Sequence, residues 1–404
     1  MAEDPLLPVA FLLAPQAPAT GNAATADRLR RIFEARGLRV VSVDPNTLLP
    51  DGGADGEGAA AVDASGAAVC VALHGIKSAR LVVGCRAPLV VVTGGTDVNV
   101  DIAKDSDKAA TMARVLRWEG TAAVVSFSQA MIDAMHALLE ATAAVPVAIP
   151  ARQCRTAAPP VHLIPQGVDL PPRPEAGSAV AAQVQRVIQA VLHPGETVRD
   201  ARQRVLLLVA GLRPVKDVLF LADAVDGAWG DGKDLRLVIL GGRLDEAYGA
   251  MVEERAHKSP GAFILLPHAL CREACVEVMR HCAAVVNSST SEGMSGALLE
   301  SLAVGTPVLA RMIPGNLALA DMARAALGAA VAADEEPPPP PPGGGGVVIY
   351  DSPDDFVQQS EALFSQGGAG AAAAGLGVEG LRAVAAIASD ERSKWHAVLD
   401  AVLS

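Results

Sequence analysis

The sequence predicts an α/β protein of two Rossmann-like halves, with parallel sheets facing an interdomain cleft. Three observations carry that expectation. Strand-length apolar runs alternate with helical periodicity from the first residues to about residue 170. A second alternation opens at Arg204 with a continuously apolar run, the pattern of a parallel strand buried on both faces. The runs of both series end in short segments holding Gly, His, Asp, Arg or Lys, at the end where open α/β sheets hold ligands. The length, 404 residues, exceeds what one core organises, so two domains are the default.

In the first series, Val9–Ala14 reads as a strand and Pro15–Asn22 as a loop. AATADRLRRIFEAR follows as a helix, with Ala26, Leu29, Ile32 and Phe33 at helical spacing. Gly37 ends it, and LRVVSVD is the next strand, completing a βαβ unit. Asp51 to Gly66, rich in Gly, Ala and Asp, reads as a floppy connection. Ala68–Leu73 and Leu89–Thr93 are strands that end in His74-Gly75 and in Gly94 to Asp97. A helix from Lys104 to Trp118 leads to a strand around Val124 and Val125, and Ser128 caps the helix opening at Gln129. Val161–Pro165 runs into Gln166-Gly167-Val168-Asp169.

The expected boundaries are an N-terminal domain at 1–170, a linker with one amphipathic helix at 171–203, and a C-terminal domain at 204–388. A helix at 389–404 packs back toward the first domain. Within the second series, strands fall at 204–210, 235–240, 263–266 and 283–287, and VLFLADAV is a helix. A Pro/Gly insert at 334–346 reads as a polyproline spacer with a flexible joint, or as a docking site for a partner. The Ala/Gly-rich 367–377 stretch reads as another loose joint, and the last helix carries Trp395.

Composition narrows the function. Aromatics make up 3% and the formal net charge is -12, which argues against nucleic acid, because phosphate backbones attract basic, aromatic-bearing faces. An anionic ligand would need a local basic pocket. Mean hydropathy is +0.32, raised by alanine and valine, yet no uninterrupted apolar run reaches membrane-spanning length. The acidic, proline-broken N-terminus does not read as a signal peptide, so a cytoplasmic protein is expected. Cys271, Cys275 and Cys282 share a helix face near His268 and His281, but no C-x-x-C pair is present. The alternatives are a zinc site and small core thiols, and the spacing favours the thiols.

The candidate site residues lie at strand ends. Gly211 lets the backbone bend toward a ligand, while Arg213 and Lys216 present a guanidinium fork and a point charge. By themselves they read as two solvated surface cations rather than a phosphate site. Met294, Ser295 and Gly296 open the helical run ALLESLAV, and their amides would favour phosphate. Glu292 and Glu300 bracket that turn; their offset is about 80° off one helix face, so they serve two ends of an extended ligand. In the first series, Thr20, Gly21, Asn22, His74, Thr96 and Asp97 sit at strand ends. His74 is as readily a structural histidine, and Asp97 a turn cap. Asp105-Ser106-Asp107 has a D-x-D pattern, but its place at a helix start reads as capping.

These residues carry a resemblance. GLRPVKD resembles the G-x-x-x-x-K phosphate loop of retaining GT-B glycosyltransferases, family 4. SEGMSGALLESLAVGTPVLA is similar to that family's E-x7-E block and following strand, and LIPQGVDL to its interdomain segment. With GGTDVN and VNSSTSEGMS, the chain most resembles the glycosyltransferase-1-domain-containing group. The resemblance implies a GT-B fold and a retaining transfer from a nucleotide-diphosphate sugar to an unknown acceptor hydroxyl. It implies no metal and no cofactor beyond the donor. Arg213 and Lys216 would hold the diphosphate and offset charge on the departing nucleotide. Glu300 would hold the ribose and Glu292 the sugar. Gly21 would approach the phosphate or acceptor, and His74 the donor sugar. Asp217 departs from the pattern, standing where the family usually has glycine; it would repel a phosphate or cap a helix. The alternative is a nonenzymatic GT-B protein that binds a nucleotide-sugar or a partner. A Rossmann oxidoreductase ranks low, because G-x-G-x-x-G follows neither Ala14 nor Ala210.

Overall fold

The computed structural model describes residues 7–16, 21–49, 53–142, 157–230, 235–259, 261–328, 346–364 and 369–404. Thr20, residues 367–368 and all of the Pro/Gly insert except Gly346 lie outside the described residues or, for 334–345, are not described. The chain divides into two compact units: 1–166 with 389–404, and 167–388.

The first unit is built on a six-stranded sheet. Its strands are β1 (Val9–Leu13), β2 (Arg39–Val43), β3 (Ala67–Leu73), β4 (Leu89–Val92), β5 (Thr121–Ser126) and β6 (Val161–Leu163). The order is β2-β1-β3-β4-β5-β6 and every pairing is parallel, which requires helical crossovers. VAFLL and LVVV are buried throughout, because helices cover both sheet faces. The helix Gly21–Ala35 buries Ala26, Leu29, Ile32 and Phe33, its one apolar stripe. Phe33 meets Trp395 edge-on, with ring centroids 5.3 Å apart. Arg28 pairs with Glu391 at 3.0 Å, both buried, so the chain's last residues are part of this core.

The second unit repeats the plan with β7 (Val205–Val209), β8 (Arg236–Leu240), β9 (Phe263–Leu266), β10 (Ala284–Asn287), β11 (Val308–Arg311) and β12 (Val347–Tyr350). The order is β12-β11-β10-β7-β8-β9, again parallel. Leu206, Leu208, Ile239 and Val286 meet Trp229, Tyr350 and Phe356 in one core. Each fully buried side chain of this size contributes about 1.5–3 kcal/mol.

Four expectations need correction. Residues 53–66 are not a floppy connection: Ala59–Ala64 is a helix, and the N–H groups of Gly56 and Gly58 donate to the carbonyls of Arg80 and Leu81. The described part of 367–377 belongs to one helix, Ala369–Leu403. Alanine favours that helix, and its glycines permit close packing: a Cβ at Gly377 would lie 2.2 Å from the Gly305 carbonyl oxygen. Residues 171–203 hold two helices, Ala179–Val191 and Val198–Arg204. They are tied down by Glu196, which accepts from Arg236 at 2.7 Å and Arg204 at 2.9 Å. Arg236 above all holds the Glu196 carboxyl down to about 2. VLFLADAV is a 3-10 turn, Val218–Leu221, followed by the helix Ala222–Trp229.

Candidate functional site

In the second unit the site is built where β7 and β10 end. β7 gives way to Gly211 and a 3-10 turn, Pro214–Lys216. β10 gives way to a loop that binds that turn: the Thr290 N–H donates to the Val215 carbonyl at 2.9 Å, and the Ser288 hydroxyl to the Lys216 carbonyl at 2.9 Å. Lys216 is thereby brought to Glu292, with Nζ 2.5 Å from Oε1. The same oxygen accepts from the Ser289 hydroxyl at 2.7 Å and from Asn287 Nδ2 at 3.2 Å. Asn287 is held in turn by Asn316 Nδ2 at 2.9 Å and by the Tyr350 hydroxyl, which donates to its carbonyl at 2.7 Å. Burial pushes the Glu292 carboxyl up, but Lys216, Ser289 and Asn287 outweigh it and hold the group below the ordinary carboxylate range. Glu292 is therefore an oriented anion. Its backbone is fixed as well: a Cβ at Gly315 would lie 2.3 Å from the Glu292 carbonyl oxygen.

The helix Gly296–Ala303 begins at the same place, and its N-cap residue Ser295 makes no side-chain cap hydrogen bond. A helix start of this kind presents N–H groups and a positive dipole end that favour an anion. Met294 and Ser295 are buried and Gly296 opens the helix. Glu300, one turn inside, pairs with Arg272 Nε at 2.5 Å, while Arg272 Nη2 donates to the Asp169 carbonyl at 2.6 Å. Burial still raises the Glu300 carboxyl above its ordinary value, with Arg272 offsetting only part. Arg213 is exposed and, among the described residues, makes no side-chain hydrogen bond or ion pair.

The structure thus brings Lys216, Glu292, Met294, Ser295 and Gly296 together, with Glu300 separately paired. Sequence reasoning missed Arg272, Asn316, Tyr350 and the Asn287-Ser289 support. Only Asn287 carried a signal, an amide ending an apolar strand.

In the first unit, β3 and β4 end in a different arrangement. His74 has φ of 79° and is buried, as is Asp97, which opens a turn of π-helix at Asp97–Asp101. His74 Nδ1 lies 3.3 Å from Asp97 Oδ2, and accepts from the Lys77 N–H at 3.3 Å. Asp97 Oδ2 accepts from the Gly75 N–H at 2.6 Å. Burial raises the Asp97 carboxyl to about 7 and, with Lys77, lowers the His74 imidazole to about 3. At neutral pH the imidazole is uncharged, and a proton on Asp97 can bridge the two. Among the described residues, His74 Nε2 and Asp97 Oδ1 are buried without hydrogen-bond partners. Gly21 and Thr96 are exposed and Asn22 is half-buried; Gly21 is the first residue of its helix.

The D-x-D pattern is a cap: Asp105 accepts from the N–H groups of Asp107 and Lys108 at 3.0 and 3.1 Å. Burial pushes the Cys275 and Cys282 thiols up to about 12, so both are protonated at neutral pH. Among the described residues, no helix is long and apolar enough to cross a membrane.

Comparison with known proteins fits this geometry. Residues 203–337 match the family model described as "Glycosyl transferases group 1". A relative from Xenopus tropicalis, "Glycosyltransferase 1 domain-containing protein 1", is 30% identical over 301 residues, spanning 74% of this chain and 77% of that protein. Among solved structures, Anabaena HepE in complex with UDP-glucose is similar at a TM-score of 0.64 and 13% identity, over 97% of this chain and 99% of that one. Sucrose-phosphate synthase from Thermosynechococcus elongatus is similar at 0.62 and 14%, over 98% and 100%. At these identities the likeness speaks to fold alone: GT-B, with two Rossmann-like domains.

Proposed function

The chain belongs to the glycosyltransferase group 1 family, and from that premise we propose that it moves a sugar from a nucleoside-diphosphate sugar to an acceptor hydroxyl, with retention of anomeric configuration. In this reading the acceptor oxygen attacks the anomeric carbon on the face the diphosphate leaves, through an oxocarbenium-like transition state. The acceptor's hydroxyl proton leaves with the nucleoside diphosphate. Lys216 and Arg213 bind the diphosphate and offset the charge that grows on it as the bond breaks. The backbone at Gly211, the amides of Met294, Ser295 and Gly296 and the helix dipole support the same charge. Glu292 contacts the sugar and Glu300 the ribose hydroxyls. On the first unit, His74 is proposed for the donor sugar and Gly21 for phosphate or acceptor. Asn22, Thr96 and Asp97 are the candidate acceptor residues. No metal or further cofactor takes part, so turnover is expected to persist in EDTA.

One observation carries the reading. A lysine and a glutamate 76 residues apart meet at 2.5 Å, at the ends of two strands and beside an uncapped helix N-terminus. A cation, an oriented anion and a helix start whose N-cap Ser295 makes no side-chain cap support that reading. HepE, of the same fold, was solved with UDP-glucose, which supports a nucleotide-sugar donor here. The test is donor hydrolysis and transfer with UDP-, GDP- and ADP-sugars, paired with a thermal-shift screen of the diphosphates. Binding should raise the melting temperature by mass action. Binding of a donor with no turnover of any of them would instead favour a nonenzymatic binder.

A further inference from the structure

The turn that carries Lys216 has a backbone that its sequence does not favour. Asp217, the next residue, has φ of 42° and ψ of 46°, the left-handed region where a side chain collides with its own carbonyl and where glycine is at ease. Aspartate tolerates that region better than most residues, but it brings a negative charge next to the proposed phosphate lysine. The charge is met from another strand. Arg311, the last residue of β11, donates from Nη1 to Asp217 Oδ2 at 2.8 Å and to the Ser288 carbonyl at 3.0 Å. Its guanidinium lies over the Phe220 ring, 3.6 Å from the centroid. Ser288, in turn, is the residue whose hydroxyl donates to the Lys216 carbonyl. Asp217, Lys216, Ser288 and Arg311 therefore form one connected set, and both charged side chains of the clamp are more than two-thirds buried.

We propose that Arg311 and Asp217 are positioning residues for Lys216. Arg311 cancels the charge of Asp217 and ties the left-handed turn to the end of β10, so that the Lys216 ammonium is held for a diphosphate. The proposal rests on the donor reading above. Neither residue touches the ligand; each acts through Lys216. The pairing accounts for a carboxylate beside a phosphate loop: it is a neutralised tether, not a repelling charge. Without Arg311, an uncompensated carboxylate one residue from Lys216 would oppose the diphosphate through a partly buried medium.

Calorimetry on the full chain decides it, with UDP, GDP and ADP compared against UMP, GMP and AMP. Arg311→Gln keeps a donor for the Ser288 carbonyl but removes the charge. It is expected to weaken the diphosphate about tenfold and the monophosphate less than about threefold. Adding Asp217→Asn removes the uncompensated charge and keeps a residue at ease in the left-handed region. It is expected to return affinity to within about threefold of wild type. A merely structural role for Arg311 would show no such rescue, so a double variant no better than Arg311→Gln overturns the proposal, as does an unaffected Arg311→Gln. Should Arg311→Gln not fold, Asp217→Asn against Asp217→Val decides. The β-branched residue is expected to bind at least about tenfold more weakly, and equal affinity overturns the clamp. If the wild-type chain binds none of the diphosphates, the donor reading falls and takes the clamp with it. If it binds one and the Arg311 variant binds equally well, only the clamp falls.

Discussion

The ends of the two parallel sheets treat buried ionisable groups in opposite ways. Where β7 and β10 end, every buried charge has a partner: Lys216 with Glu292, Arg272 with Glu300, Arg311 with Asp217. Where β3 and β4 end, a histidine and an aspartate are buried against each other, with no further ion-pair partner among the described residues, and each keeps an unpaired polar atom. The consequence appears in protonation. Glu292 is held below the usual carboxylate range, whereas Asp97 is raised to about 7 and Glu300, despite Arg272, is raised by burial. Position at a strand end does not decide whether a carboxyl is charged; its hydrogen-bond donors and cations do.

The largest test of this contrast is Lys216→Ala. It leaves Glu292 buried beside Ser289 and Asn287 with no cation. A loss of about 3 kcal/mol in urea unfolding is expected, the usual result of breaking a buried pair, with donor affinity falling a hundredfold or more. Unchanged affinity for every diphosphate would remove Lys216 from the site. Next in size is Glu300→Ala, expected to weaken nucleoside-diphosphate binding on the order of tenfold by calorimetry, because it removes charge-assisted hydrogen bonds to ribose. An effect no larger on UDP-sugar than on inorganic pyrophosphate would argue against a ribose contact.

Asp97→Asn probes the other end through pH. The folded pKa of Asp97 is raised from 3.8 to about 7, so its contribution is fully present below about pH 4 and is lost as pH rises toward 7. His74 is lowered from 6.5 to about 3, so its contribution is present above 6.5 and is lost as pH falls toward 3. The two slopes oppose each other over most of that range in the wild type. Relative to wild type, the stability of Asp97→Asn should therefore rise between about pH 4 and 7, with a slope of at most about 1.4 kcal/mol per pH unit. Parallel stability profiles for the two proteins would show Asp97 to be charged in the fold. The smallest effect is expected from Asp105→Ala, which removes a helix cap: about 1 kcal/mol in thermal unfolding, with donor affinity and EDTA response unchanged. Loss of metal-dependent activity there would instead revive the D-x-D reading.

Most of the two-fold repetition was legible because parallel strands buried on both faces leave long apolar runs, such as VLLLV and LVVV, that nothing else explains. Segments 53–66 and 367–377 misled because their Gly and Ala content reads as looseness. Their glycines instead serve close packing, as at Gly58 against Leu81 and Gly377 against Gly305. In the candidate site, Lys216, Glu292 and Glu300 were legible as charged residues at predicted strand and helix ends. Arg272 and Arg311 were not, because each looks like an ordinary arginine until a helix 28 residues away or a turn 94 residues away brings its carboxylate.

The sequence by itself determined the alternating α/β order, the β7 phosphate-loop candidates and the helix start at Gly296, since period, apolar runs and turn residues are local properties. Only the tertiary structure decided which charges meet: that Glu292 is bound by Lys216, that Glu300 is held by Arg272, and that the strained Asp217 is neutralised by Arg311. The physical reason is that a charge's state depends on partners within a few ångströms, and in a parallel sheet those partners arrive from strands far apart in the chain.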